Sequence, residues 1–251
     1  MTIVTTLGRS DADVTDWSNS PWGIPEHDGR ATFGSGGAEP YARALRTNNP
    51  VILLLHETTR GQLTSTTTMD VARWNADADE VDLTLLRAVT GPVLDIGCGP
   101  GRMVRAAAAL GLEVLGIDVS AAAVELARET GLAVVEHSVF DTVPGEGGWQ
   151  TTLLVDGNIG IGGDVAALLT RCRDLLAPDG EIVVELHADA DHAHTYTGTL
   201  VDSHGGRSAF FPWAEIGLNG IVALADPLGL ELRQAWTLGG RSFCRLATTS
   251  R

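Results

Sequence analysis

Apolar and polar positions change rhythm near Asp82. Beyond it, short apolar runs bounded by glycine or acidic residues alternate with stretches whose apolar positions recur every three or four residues. The first period fits buried strands and the second fits helices. The runs predict strands over 93–95, 113–118, 133–138, 152–156 and 181–186, and two closing strands over 230–236 and 242–247. The stretches between them predict helices over 102–110, 120–130 and 164–176, and a further helix over 213–226 after a polar loop. Ser120 stands where an N-cap is expected, and Gly111 and Gly131 where helices stop.

Strands that alternate with helices imply a parallel sheet covered on both faces, and hence an α/β fold. In such sheets ligands bind beyond the carboxyl ends of the strands, at the switch point of strand order. Residues 1–80 follow no such rhythm. They hold PWG at 21–23, GSGG at 34–37, and the aromatic residues Trp17, Trp22, Phe33 and Tyr41. The segments 51–55 and 63–68 predict a β-hairpin around Thr58-Thr59-Arg60-Gly61. The expectation is an N-terminal arm over 1–80, without a core of its own, and a main domain over 81–251. The arm is expected to fold over the ligand as a lid.

Composition narrows the function. The chain has 251 residues, and its 17 basic residues are all arginine against 32 acidic ones, a net charge of -15. Without lysine, Schiff-base chemistry is excluded. The acidic balance disfavours nucleic acid, which needs a basic footprint. The longest aliphatic run, 51–55, is far short of the roughly 20 residues that cross a bilayer. No secretory signal is read at the N-terminus. Cys98, Cys172 and Cys244 are odd in number and widely spaced, which suggests a reducing, cytoplasmic setting and no membrane partner. The oligomeric state is not legible.

The chemistry concentrates in VLDIGCGPG, residues 93–101. Gly97, Gly99 and Gly101 are spaced GxGxG, not the GxGxxG of a dinucleotide loop, and no P-loop GK[ST] follows. Asp95, two residues before the first glycine, would repel a pyrophosphate and suits a ligand bearing an ammonium group. Asp118 closes the next strand, where a carboxylate can accept both hydroxyls of a ribose. An adenosine with an amino acid at its far end fits both acids: S-adenosylmethionine (SAM).

These residues resemble the class I SAM-dependent methyltransferase family. The resemblance rests on VLDIGCGPG (93–101), EVLGIDVS (113–120) and EIVVELHA (181–188), within residues 82–251. It implies a Rossmann-like sheet of seven strands with the last antiparallel, SAM as cofactor and S-adenosylhomocysteine (SAH) as product. It implies that Asp95 serves the methionine ammonium and Asp118 the ribose. Gly97, Cys98, Gly99 and Gly101 would then let the backbone approach, and Val119 would pack on adenine. The family often has an acid after the third strand, before Leu-Pro. By spacing to Pro144 that place is held by Val139, so Val139 and Phe140 are expected to hold adenine by packing and backbone, with Asp141 second. A Rossmann-type domain for another nucleotide remains the alternative.

Methyl transfer is an in-line displacement. It needs alignment, exclusion of water and, for many acceptors, loss of a proton. Strand four leads into Asp156-Gly157-Asn158-Ile159-Gly160-Ile161-Gly162-Gly163, which lacks the [DN]PP[YF] motif of enzymes acting on nucleic acid bases or protein glutamine. Asp156 and Gly157 are candidates for the cofactor, Asp156 also for catalysis, and Asn158 for substrate. After strand five come His187, Asp189, Asp191, His192 and His194. His187 is the candidate base and His192 a candidate substrate contact. The spacing matches no standard metal signature, and no metal is expected. Phe211 and Trp213 are candidates for an aromatic acceptor wall, and Arg73 for the methionine carboxylate. The expectation is a bacterial enzyme that methylates an O or N atom of a small, secondary-metabolite acceptor. A SAM- or SAH-binding regulatory protein and a peptide or protein methyltransferase are the rival readings.

Overall fold

The computed structural model describes residue 33 and residues 40–47, 52–59 and 62–249. Two sheets carry the chain. Seven strands, β3 (Val93–Ile96), β4 (Val114–Asp118), β5 (Val134–Glu136), β6 (Trp149–Leu154), β7 (Leu176–Leu186), β10 (Leu230–Leu238) and β11 (Arg241–Thr248), form one sheet in the order β10-β11-β7-β6-β3-β4-β5. Strands β3 to β7 are parallel, and β11 runs antiparallel to both of its neighbours. The order reverses between β3 and β6, which puts the ligand crevice beyond their carboxyl ends.

Apolar runs become central strands because both faces are covered. Leu94, Leu153, Leu154, Ile182 and Val184 are fully buried, as are Leu168, Leu169, Cys172 and Leu175 of helix α6 (Val165–Leu175). Helices α4 (Arg102–Ala109) and α5 (Ala121–Glu129) cover the sheet near the glycine loop. Caps fix the starts of α5 and α6: the Ser120 hydroxyl accepts from the Ala123 amide at 3.4 Å, and the Asp164 carboxylate from the Ala167 amide at 3.0 Å. Helix α3 (Glu80–Arg87) opens on a capping box in which Asp79 and Asp82 each accept from the other's amide.

The second sheet has four strands in the order β2-β1-β8-β9. The hairpin expected near 51–68 is present as β1 (Ile52–Thr59) and β2 (Gln62–Asp70). Its partners are β8 (Ala193–Val201) and β9 (Phe211–Ile216), where the sequence pattern predicts a polar loop and the beginning of a helix. The helix itself is shorter, α7 (Leu218–Ala225), and starts only after Gly217. Paired strand neighbours outweigh the helical spacing of 213–216. Helices α1 (Pro40–Leu45) and α2 (Val71–Asn75) flank this sheet. Tyr41, Leu55, Met69, Tyr196, Leu200 and Phe211 bury a second apolar cluster with Phe33, Trp74 and Trp213. The second sheet thus draws strands from both sides of the 80/81 boundary. The expected lid residues Trp17, Trp22 and 34–37 lie outside the described residues.

Candidate functional site: a glycine-loop cleft under a second sheet

The cleft lies where the switch point puts it. Its floor is the loop after β3, its far side the segments after β4 and β5, and its roof the second sheet. Most of the expected residues line it: Asp95, Gly97, Cys98, Gly99, Asp118 and Val119; Val139 and Phe140; Asp156 and Asn158; Phe211 and Trp213. The glycine loop is held open from both sides. Gly97 has φ 73°, and a Cβ there would meet the Asn158 carboxamide at 2.8 Å. That carboxamide nitrogen donates to the Ile96 and Gly97 carbonyls at 2.8 and 2.9 Å, so Asn158 staples the glycine loop to the loop after β6. Its role is to shape the cleft as well as to line it.

Asp95 is the distinctive group. Its residue is 1% exposed, and neither carboxylate oxygen has a hydrogen-bond partner among the described residues. Burial, with Asp156 and Asp118 nearby, pushes its carboxyl up to about 8. A buried acid without a partner is costly unless a cation completes it. Asp118 is different: its carboxylate accepts from the Gly99 and Ser120 amides, each at 2.8 Å, which ties the glycine loop to the end of β4. Burial raises its carboxyl and those amides oppose the shift.

Some expected residues fall elsewhere. Gly101 does not line the cleft; it begins α4 at φ 88°, and a Cβ there would meet Leu132 Cδ1 at 2.5 Å, so packing demands the glycine. Gly157 turns the chain at φ 86° outside the lining. Arg73 also stands outside it, 3.4 Å from Asp79 and 4.0 Å from Asp156, while the adjacent Trp74 is a lining residue. Neither His187 nor His192 lines the cleft. The two rings stack at 3.8 Å, and His192 Nε2 lies 3.0 Å from Glu215 Oε2. His187, His192 and Glu215 are, among the described residues, a group with metal-ligand spacing. However, His187 Nδ1 accepts from the Asp189 amide at 3.1 Å, so this ring carries its proton on Nε2.

Sequence reasoning missed the charges beneath the cleft. Arg102, 5% exposed, pairs with Asp82 and Asp156. Arg241 bonds Asp82 at 2.7 Å and holds Glu185 with two bonds of 2.8 and 2.7 Å. Asp156, at φ 56°, aims its amide at Glu185 at 2.7 Å. Burial raises the Glu185 carboxyl, but the Arg241 pair prevails and holds it down at about 2. Asp156 is therefore committed to ion pairs with Arg73, Arg102 and Arg241. These partners lie far apart in sequence, so no local motif announces them. His137 and Ser138, also missed, line the cleft beside Val139.

Residues 93–180 match the family model of the methyltransferase domain. Solved structures share the fold. A SAM-dependent methyltransferase from Bacteroides fragilis in complex with SAH superposes with a TM-score of 0.70 at 20% identity, over 84% of this chain and 93% of that one. The CcbJ methyltransferase from Streptomyces caelestis gives 0.55 at 16% identity, over 70% and 92%. The Burkholderia thailandensis 1,6-didemethyltoxoflavin-N1-methyltransferase gives 0.53 at 17%, over 71% and 81%. No curated protein matches the chain in sequence. The seven-stranded fold and the family match define a methyltransferase domain of the Rossmann-like kind. Over residues 93–180 the chain is similar to the methyltransferase domain family, and it shares the fold of solved SAM-dependent methyltransferases.

Proposed function

We propose that the protein transfers a methyl group from SAM to an O or N atom of a small molecule. The observation that carries this is Asp95: a buried carboxylate with no partner among the described residues, at the base of a glycine loop in an aromatic-walled cleft. The residues present fit the cofactor. Asp95 would receive the ammonium, Asp118 the ribose hydroxyls, and Val119, Val139 and Phe140 the adenine. Arg73, outside the lining but 4.0 Å from the lining residue Asp156, would serve the carboxylate. Bound there, SAM supplies a methyl on a sulfonium, electrophilic without further activation.

The chain's own work is then to orient the acceptor and exclude water. Phe211 and Trp213 form the wall on the roof side. An acceptor held against them would be aligned toward that methyl, and a proton it carries would leave to solvent. Asp156 is held by arginines, and His187 stands outside the cleft, so proximity and alignment carry most of the catalysis in this reading. A roofed cleft and a net charge of -15 favour a small acceptor over nucleic acid. Among the described residues, no helix is long and apolar enough to cross a membrane. The test is SAH binding by calorimetry, followed by transfer of labelled methyl from SAM into a pool of small metabolites. A protein that ignores SAH refutes the proposal. One that binds SAH and labels only proteins, or nothing, supports the peptide or the regulatory reading instead.

A further inference from the structure

One residue from the N-terminal part of the chain reaches the glycine loop. Helix α1 carries Tyr41, whose ring packs in the apolar cluster of the roof. Phe33 and Trp74 hold that ring edge to face, their centres 5.2 and 5.6 Å away. Tyr41 is 4% exposed and lines the cleft. Its hydroxyl hangs over the loop: a Cβ placed on Gly99 would lie 3.4 Å from it.

A buried phenol ordinarily finds a partner for its hydroxyl. The chain's other tyrosine does so, since Tyr196 donates to Glu215 at 3.4 Å. The Tyr41 hydroxyl bonds to none of the described residues.

Its surroundings define the missing partner. Burial, then the nearby Asp118 and Cys98, push the phenol well above its ordinary value. The hydroxyl therefore keeps its proton and can donate it in a hydrogen bond. Asp118 already accepts from the Gly99 and Ser120 amides at 2.8 Å each, and the phenol does not bond to it. A donor and a carboxylate at one corner select a group that uses both. A ligand hydroxyl does: its proton goes to the carboxylate and its oxygen accepts from the phenol. An ammonium has no lone pair to accept with, and a ligand carboxylate would be repelled by Asp118. Because its neighbours fix the ring, the phenol is in place before the ligand arrives, and little freedom is lost on binding.

We propose that Tyr41 is a cofactor-binding residue whose hydroxyl donates to a ribose hydroxyl of SAM while Asp118 accepts from the same diol. The proposal rests on the methyltransferase reading and adds a residue outside the matched segment 93–180. It also joins the cofactor to the acceptor side, since Tyr41 packs in the same cluster as Phe211 and Trp213.

A cycle of two proteins and two ligands tests it on the full chain. The proteins are the wild type and Tyr41→Phe. The ligands are SAH, read by calorimetry, and SAH lacking both ribose hydroxyls, read by competition with SAH. Tyr41→Phe should weaken SAH about three- to tenfold, as loss of one hydrogen bond between neutral groups requires. It should weaken the dideoxy ligand by less than about twofold. Since the hydroxyl has no partner in the ligand-free protein, the melting temperature should stay within about 2 °C of the wild type. A purely structural hydroxyl would lower the melting temperature and weaken both ligands alike. Unchanged SAH affinity, equal losses for the two ligands, or a melting temperature lowered by more than about 2 °C overturns the inference. If the wild type itself does not bind SAH, the methyltransferase reading falls first and takes this one with it.

Discussion

Replacing Asp95 with asparagine separates stability from cofactor binding. The unfolded carboxyl ionises near 3.8, the folded one at about 8. The folded pKa is raised, so the cost to the fold is absent below 3.8, grows as pH rises, and is complete above about 8. At pH 7 the unfolded chain gains about 4 kcal/mol from ionising Asp95 that the folded chain does not. A protonated carboxyl and a carboxamide have similar desolvation costs, so Asp95→Asn should stabilise the ligand-free protein at pH 7 by up to about 4 kcal/mol. The same change should weaken SAH, because a neutral amide cannot answer an ammonium. A loss of about tenfold to a hundredfold is expected for one buried charge-assisted contact. A further signature is available in the wild type. With a pKa of about 8, roughly nine in ten molecules carry the proton at pH 7, so binding the ammonium against an ionised Asp95 should release about 0.9 proton. Calorimetry of SAH in phosphate and in Tris, which differ in ionisation enthalpy, reads that number directly, and denaturant unfolding at pH 7 reads the stability. An asparagine variant that is less stable than wild type and binds SAH equally well would refute the assignment of Asp95.

Asp118→Ala should lower SAH affinity about tenfold to a hundredfold by calorimetry, since it removes the proposed ribose contact and frees the Gly99 amide from its 2.8 Å bond. Arg241→Ala leaves Asp82 and Glu185 buried without their shared partner, and should cost about 3–5 kcal/mol in denaturant unfolding at pH 7. The Glu185 pair stabilises fully above pH 4.5 and loses its contribution as pH falls toward about 2, so the same variant should flatten the acid end of the stability profile. Turnover should survive EDTA, because His187 Nδ1 is engaged by the Asp189 amide; complete loss restored by zinc or magnesium would overturn that.

How much of this was legible in the sequence depends on distance along the chain. All seven strands of the main sheet were readable, because each is an apolar run closed by glycine or acid within a few residues. The residues proposed for the cofactor were legible as a group for the same reason: Asp95, Gly97, Gly99 and Asp118 belong to two adjacent strand ends, and all four line the cleft. The roof was not. Strand β8 hides in a polar segment, although Thr195, Thr197 and Thr199 alternate with Tyr196, Gly198 and Leu200 at the period of a strand. Strand β9 runs nearly into α7, so its residues were absorbed into the helix. The buried arginine network joins positions 82, 102, 156, 185 and 241, and only the folded chain brings them together. The histidines drew attention by clustering in sequence, yet His187 and His192, in the loop between β7 and β8, and His194, on β8, lie outside the lining of the cleft.

The divided origin of the roof sheet has a kinetic consequence. Strands β3 to β7 lie within positions 93–186 and pair parallel through short crossovers. The roof joins positions 55 and 200 across the whole of that segment. Closing so long a loop is entropically tolerable, since the cost grows only logarithmically, but it makes the pairing a late and slow event. During synthesis the hairpin emerges first and then waits, its β1 edge open, until β8 has been made. The sheet that carries the glycine loop is therefore assembled before the sheet that roofs the cleft. Substitutions in the roof should appear chiefly as faster unfolding with little change in folding rate. The roof of the cleft is thus the last-formed part of the molecule, where sequence can change without disturbing the nucleus of the fold.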